Sequence, residues 1–332
     1  MGENLSGVGV YSRELLGGLA ASGFADRWEW FYRSQRYWRA RSTPVPSNVR
    51  RRFLAEGFGS RSADLFHGLN QRLPRRRFRR QVATFHDLFV LSAEYSTAEF
   101  RARFAAQARH AAENADLIIA VSAFTAAQVT EFLGIRQERI RVVHHGITPR
   151  AIPAVARENV VLCVGAIQRR KNQAELVKSF AAMPGDWSLV LAGSEGYEAA
   201  ETRKAIEESP AQDRIRITGY ISERELAAWY GRARIFAFPS LDEGFGMPIL
   251  EAMAAGVPVV TANRSALPEV AGDAALMVDA ARGDELADAL KLLAADEGKR
   301  AELIRRGFKR AKLFSWQKAC QETLQVYGEL IA

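Results

Sequence analysis

From Val160 onward, short apolar runs alternate with stretches of helical period. The strand-like runs are VVLCVGAI (160–167), SLVLAGS (188–194), RIRITGY (214–220) and ARIFAFPS (233–240), and amphipathic segments reach Ala182, Glu208 and Gly231 between them. A helix PILEAMAAG (248–256), a strand PVVTAN (258–263) and a helical segment from Asp284 to Leu293 follow. Continuous apolar runs separated by amphipathic helices predict a parallel sheet covered on both faces, a complete doubly wound domain. The first half predicts a second Rossmann-like domain. Its strand candidates are WEWFYRS (28–34), DLFHGL (64–69), QVATFHD (81–87), LIIAVS (117–122) and IRVVHHG (140–146), with helices over Val10–Ala21, Thr97–Asn114 and Ala123–Leu133. The segment Ile147–Asn159, with Pro149 and Pro153 and little apolar periodicity, reads as the linker, so the expected domains are 1–150 and 151–332. SGVGVYSRELL (6–16) looks like a glycine loop opening a helix, yet only six residues precede Gly7. The strand that normally precedes such a loop is therefore expected to be missing from this chain.

Composition narrows this picture little: 332 residues with 48% hydrophobic and 25% charged side chains fit an ordinary two-domain globular protein. No stretch approaches the roughly 18 to 20 apolar residues that cross a bilayer, and Met1–Gly9 lacks a secretion signal, so a cytoplasmic location is expected. Cys163 and Cys320 are far apart with no metal-ligand spacing, and both read as small buried hydrophobes. Charge changes the picture more. Residues 1–150 carry 23 basic and 13 acidic side chains and residues 151–332 carry 23 and 25, so the whole excess of +8 lies in the first half. Such a field attracts anions, whether nucleic acid, an anionic membrane face or a phosphorylated acceptor.

Candidate chemistry concentrates in FPSLDEGFGMPILEAMAAGVPVV (238–260), where Glu243 and Glu251 are separated by seven residues. Gly244 and Gly246 let the backbone approach a ligand, and Pro248 suits a first helical turn. Loop amides around Phe245 and Met247, together with the positive end of the helix, make an anion site. Glu251 falls about one turn into that helix, where it can reach a ribose hydroxyl, and Glu243 precedes the loop, where it can meet a sugar. The alternative is an acidic loop and a solvated helix glutamate. A second anion site is suggested by VGAIQRRKNQAELVKSF (164–180): Arg169, Arg170 and Lys171 lead into a helix near Asn172, where cations are costly unless an anion is bound.

The span from Glu243 to Glu251 resembles the E-x7-E signature of glycosyltransferase family four, the retaining GT-B enzymes, and the resemblance runs over nearly the whole chain. It implies an α/β fold of GT-B architecture, two Rossmann-like domains facing across a cleft, with the acceptor on the first and a nucleotide-sugar donor on the second, and with the last helix returning to the first domain. It places Glu243 by the donor sugar, the Gly244–Pro248 loop on sugar and phosphate, and Glu251 on the ribose. Lys171 matches a lysine of the family's pyrophosphate clamp; the partner arginine position holds Ala166, and Arg170 is the candidate to compensate. His86, in TFHDLF (84–89), matches a histidine beside the reacting carbon, so the implied catalytic set is His86, Lys171 and Glu243. Gly7 and Gly9 match a loop that approaches the donor phosphate, and Gly219 and Tyr220 a turn that reads the donor base. His67 is an acceptor-side candidate, His110 reads as packing, and His144 and His145 precede the linker without assigned chemistry.

The implied reaction is metal-independent transfer of a hexose, with retention, to a glycan or lipid-linked acceptor; no metal or cofactor is expected. FHDL with SAFTAAQV resembles bacterial O-antigen mannosyltransferases, which favours mannose from GDP-mannose while leaving UDP sugars open. The arginine- and aromatic-rich segments 36–53 and 74–81 suit an anionic membrane surface and a peripheral location at its inner face, or merely a solvated basic surface; no recognised nucleic-acid module accompanies them. The competing readings are a GT-B nucleotide-sugar epimerase, which would act on donor alone, and a non-catalytic nucleotide-sugar-binding protein.

Overall fold

The computed structural model describes residues 7–40, 43–54 and 63–331. Its chain divides into two units, one of residues Met1–Ser92, Thr97–Gly146 and Ser315–Ala332, the other of Ala93–Ser96 and Ile147–Phe314.

In the first unit, helix α1 (Gly7–Ala21) leads to β1 (Trp28–Tyr32), α2 (Ser34–Ala40), β2 (Val49–Phe53), β3 (Leu65–Gly68), β4 (Arg80–Phe85), α3 (Phe89–Ser92), α4 (Ala98–Asn114), β5 (Leu117–Ala120), α5 (Ala123–Leu133) and β6 (Ile140–Val142). Strands β3 to β6 form a parallel sheet in chain order, and β1 pairs in parallel with β2 in a separate two-stranded sheet. WEWFYRS is thus a strand, but its described partner is β2, inside the basic segment 36–53. Helix α4 buries Phe104, Ala108, Ala111 and Ala112, a spacing near 3.6 that turns one stripe onto the sheet. Thr97 and Ser122 cap α4 and α5 by accepting from Phe100 N and Thr125 N, at 3.3 and 3.0 Å.

The second unit runs β7 (Glu158–Val164), α6 (Gln173–Phe180), β8 (Ser188–Ala192), α7 (Ala199–Glu207), β9 (Ile215–Gly219), α8 (Glu223–Arg232), β10 (Ala233–Phe238), α9 (Met247–Ala254), β11 (Val259–Ala262), α10 (Leu267–Ala271), β12 (Ala275–Val278), α11 (Gly283–Ala295) and α12 (Glu297–Ala311). The last helix, α13 (Trp316–Ile331), belongs to the first unit, where it packs on α1. All six strands are parallel, in the order β9-β8-β7-β10-β11-β12. The chain order reverses between β7 and β10, so a crevice opens beyond their carboxyl ends, where doubly wound sheets receive ligands.

One expectation needs correction. Gly7 and Gly9 lie inside α1, which starts at Gly7 rather than Val10, so neither is a loop glycine in the structure. The YSRELL stretch after them has helical period, and the turn it sets extends back over both. The expected missing first strand concerns residues 1–6 and lies outside the described residues. Among the described residues no helix is long and apolar enough to cross a membrane.

Candidate active site

The two connections leaving the switch point of the second unit carry the motif residues. After β7, Gly165 takes φ 141, and a Cβ there would meet the Lys171 side chain at 3.4 Å. Arg169–Lys171 then form a tight 3-10 turn, and Asn172, left-handed at φ 57, restarts the chain as α6. After β10, Leu241 N donates to Arg170 O at 2.8 Å, which ties the two connections together. Ser265 fixes the next residue from the other side, with Glu243 N donating to its Oγ at 3.2 Å and Ala266 N to Glu243 O at 3.2 Å.

These tethers converge on a buried ion cluster. Lys171 Nζ pairs with Glu243 Oε1, Arg170 Nη1 lies 3.0 Å from Glu243 Oε2, and Arg170 also donates to Asp242 O. Lys171 Nζ sits 4.7 Å from the centre of the Phe238 ring. Burial raises the Glu243 carboxyl, but Arg170, Lys171 and the Ser240 hydroxyl outweigh it and hold the group down at about 2. Burial lowers the Lys171 ammonium against the pull of Glu243. The Glu243 direction decides the state of the pair: two cations and a hydroxyl act on one carboxylate, so the cluster is ionised. At Cys163 burial raises the thiol, Lys171 opposes that and Glu243 adds to it, so the group is pushed up to about 12 and stays an inert thiol.

The basic turn leads into α6 at Asn172, as its sequence suggests. Arg169 points outward to Glu198 at 3.4 Å, and Arg170 and Lys171 meet the carboxylate of Glu243, 72 residues downstream of Lys171.

Helix α9 begins as its sequence suggests. Gly246, at φ 104, occupies the N-cap with Pro248 in the first turn, and a Cβ on Gly246 would come within 2.9 Å of Leu267 Cδ2. Phe245 is buried with its ring edge-on to Phe314, 5.7 Å between centroids. One turn on, Glu251 Oε1 accepts from Arg150 Nη2 at 2.9 Å and Oε2 from the Tyr230 hydroxyl at 3.0 Å, while Arg150 Nη1 binds Glu223. At the end of β9, Gly219 takes φ 70 and Tyr220 is 53% exposed. Gly193, after β8, approaches so closely that a Cβ would fall on Gly165 O.

In the first unit, His86 and His145 are buried past the carboxyl ends of β4 and β6, and the half-buried His67 lies within β3. His86 Nε2 donates to Leu69 O at 2.9 Å, which fixes the tautomer, so the His145 Nε2–H donates to His86 Nδ1 at 3.3 Å. Their rings stack with centroids 5.2 Å apart, and Tyr11 of α1 meets His86 edge-on at 4.7 Å. His67 bonds the Tyr327 hydroxyl at 2.6 Å and Thr84 Oγ1 at 2.7 Å, and Thr84 in turn meets the Tyr11 hydroxyl at 2.9 Å. Burial lowers all three: His86 to about 4, His67 to about 3 with His86 adding to the effect, and His145 well below its usual range. All three are neutral near pH 7. His110 bonds Asn114 on its own helix at 3.3 Å, a local packing role.

Thus Arg170, Lys171 and Glu243 are in contact, Gly244–Glu251 continue from them into α9, and Gly219 and Tyr220 lie at the same sheet edge. His86, Gly7 and Gly9 belong to the first unit. Sequence reasoning passed over Gly165, Gly193, Ser240, Arg150 and Tyr230; only the glycines left a signal, each directly ending an apolar run. Among the described residues no group of three or more His, Cys, Asp or Glu could hold a metal ion.

Comparison with known proteins identifies the family and the fold. The family of group 1 glycosyl transferases matches residues 148–310, and Glycosyltransferase Family 4 matches residues 27–150. The O-antigen chain mannosyltransferase B of Escherichia coli is 31% identical over 281 residues, covering 79% of this chain and 74% of its own. The MMP alpha-(1->4)-mannosyltransferase of Mycolicibacterium hassiacum is 30% identical over 223 residues, 65% of this chain but only 54% of that protein. Among solved structures, a sucrose-phosphate synthase from Thermosynechococcus elongatus superposes with TM-score 0.77 at 25% identity over 98% of this chain and 94% of that one. WaaG, a glycosyltransferase involved in lipopolysaccharide biosynthesis, does so with TM-score 0.74 at 15% identity over 97% and 96%, a likeness of fold. With both halves of the chain matched and a relative above 30% identity over most of its length, this protein is a glycosyltransferase of the group 1 and family 4 type, with the GT-B fold.

Proposed function

We propose that the protein transfers a hexose, mannose from GDP-mannose being the preferred case, from a nucleotide diphosphate donor to a glycan or lipid-linked acceptor in polysaccharide assembly. Transfer proceeds with retention of anomeric configuration and without a metal. The observation that carries this reading is the buried cluster of Arg170, Lys171 and Glu243 at the switch point of the second unit, continuous with the glycine turn that opens α9. The mannosyltransferase relatives support the sugar, and family membership supports retention.

In this reading Lys171 and Arg170 face the donor diphosphate and stabilise the negative charge that grows on it as the glycosidic bond breaks; Arg170 takes the place left by Ala166. Such fixed charges cost no reorganisation at the moment of reaction and supply the main catalytic contribution. Glu243 aligns both cations and lies against the sugar, the α9 amides add their dipoles, and Glu251 receives the ribose. Gly219 and Tyr220 border the base. His86, in the first unit, is neutral with both ring nitrogens engaged.

Lys171→Ala and Glu243→Ala test this directly. Each is expected to lose at least about 100-fold in transfer, the scale of removing one preorganised electrostatic group, while circular dichroism shows a folded chain. Near-normal turnover in either variant would refute the assigned site. A thermal-shift screen of nucleotide sugars identifies the donor, since ligand at about 100 times its dissociation constant adds roughly 2.7 kcal/mol. A new sugar nucleotide formed from donor alone would instead reveal an epimerase.

A further inference from the structure

We infer that Arg150 is a positioning residue for donor binding, which holds the Glu251 carboxylate in the orientation that receives the vicinal ribose hydroxyls. The inference rests on the ribose role given to Glu251 above and extends it to a residue in the connecting segment 147–157, which the E-x7-E motif does not contain.

The geometry is that of a carboxylate held from behind. A carboxylate offers about four lone-pair directions on its two oxygens. Arg150 Nη2 takes one on Oε1 at 2.9 Å, and the Tyr230 hydroxyl takes one on Oε2 at 3.0 Å. One direction per oxygen is left, the number that two neighbouring hydroxyls of one ribose require. Tyr230 is fully buried, and burial with the nearby Glu251 charge raises its hydroxyl well above the usual range, so it remains a donor. Arg150 supplies the counter-charge, its side chain 18% exposed against 21% for Glu251.

Arg150 is itself fixed. Its second nitrogen pairs with Glu223 in the first turn of α8, so one guanidinium bridges α8 and α9. The chain that delivers it lies flat on α8: a Cβ on Gly231 would meet Val155 Cγ2 at 3.1 Å and Ile152 Cγ2 at 3.3 Å. The planar fork of arginine reaches both carboxylates at once, which a lysine ammonium cannot do with the same geometry.

The test compares nucleotides with and without the two hydroxyls. Binding of GDP and 2′,3′-dideoxy-GDP, and of UDP and 2′,3′-dideoxy-UDP, is measured by titration calorimetry on the full chain, and the base bound more tightly by the native protein is scored. Glu251→Ala should weaken the ribose nucleotide by about 10- to 100-fold, the worth of a hydrogen bond to a charged group, and leave the dideoxy form within about threefold. Arg150→Gln should show the same selectivity at about 3- to 10-fold, with donor KM raised and kcat little changed, and Arg150→Lys should recover part of the loss. If Glu251→Ala discriminates while Arg150→Gln does not, or weakens both forms alike, the positioning role is wrong and the ribose reading stands. If Glu251→Ala does not discriminate, or neither nucleotide binds, the ribose reading itself fails. Thermal unfolding of each variant, with the folded Arg150→Lys as the milder change, separates lost binding from lost structure.

Discussion

Glu243 is 7% exposed and faces two cations, so removing it strands two positive charges away from water, whereas removing one cation leaves a balanced pair. Glu243→Gln is expected to cost about 3–5 kcal/mol in urea unfolding and Lys171→Met less, because Arg170 still pairs with the carboxylate, with the double variant costing less than the sum of the two. The pH dependence follows from the depressed carboxyl. Its folded value of about 2 lies below the ordinary 4.5, so the stabilisation is complete above about pH 4.5 and is lost as pH falls through 2. Native protein and Glu243→Gln should therefore converge in stability between those limits; a gap that stays constant from pH 6 down to about 2 would contradict the ionised cluster. At this scale the sequence was readable in residue type and unreadable in pairing. Glu243 and Lys171 stand out by their neighbours in the chain, but that they neutralise each other depends on β7 and β10 being adjacent in the sheet. Arg150 sits in a proline-flanked stretch without periodicity, where nothing local distinguishes a fixed arginine from a solvated one.

Among the elements, β7, β8, β10 and β11 were legible because burial on both faces makes each a nearly continuous apolar run: β10 has five buried residues of six and β11 is buried throughout. Strands β2 and β12 escaped notice for a matching reason. Strand β2 reads VRRRF and buries only its first residue, so its arginines look like surface chain, and β12 is four residues long and largely half-buried. The glycines that close β7 and β8 give a sharp expectation. Gly193→Ala would place a methyl on the carbonyl of Gly165, a backbone atom that cannot swing aside, and should lower stability by more than about 2 kcal/mol and weaken nucleotide binding. A thermal midpoint within a degree or so of the native protein would count against so close an approach. Ser222→Ala offers a milder control: it removes the capping box of α8, where Ser222 and Glu225 exchange bonds of 3.3 and 2.8 Å, and should cost about 1 kcal/mol.

For the molecule as a whole, the excess of positive charge is confined to residues 1–150, and the structure shows how part of it is spent. Arg77 pairs with Asp116 at 2.6 Å, Arg52 with Glu29 at 3.0 Å, and Arg80 donates to Leu330 O at 3.1 Å. Trp38 and Phe53 are exposed nearby in sequence, at 63% and 47%, which keeps an anionic membrane surface among the expected partners. Vesicles rich in anionic lipid should then retain the protein at about 50 mM salt and release it at about 500 mM, as Debye screening shortens. Replacing Arg75, Arg76 and Arg77 by Gln should weaken that retention. Equal binding to neutral vesicles would remove the electrostatic basis.

The connecting segment has a mechanical consequence. Arg150 grips the start of α8 and the middle of α9, and seven residues later Arg157 donates to Tyr230 O, Ala233 O, Ala255 O and Gly256 O, the carbonyls where the same two helices finish. A strap riveted at both ends to one pair of rods travels with them. Proteases should spare 150–157 despite its prolines, and pulling on the chain upstream would load both rods together instead of peeling the strap away.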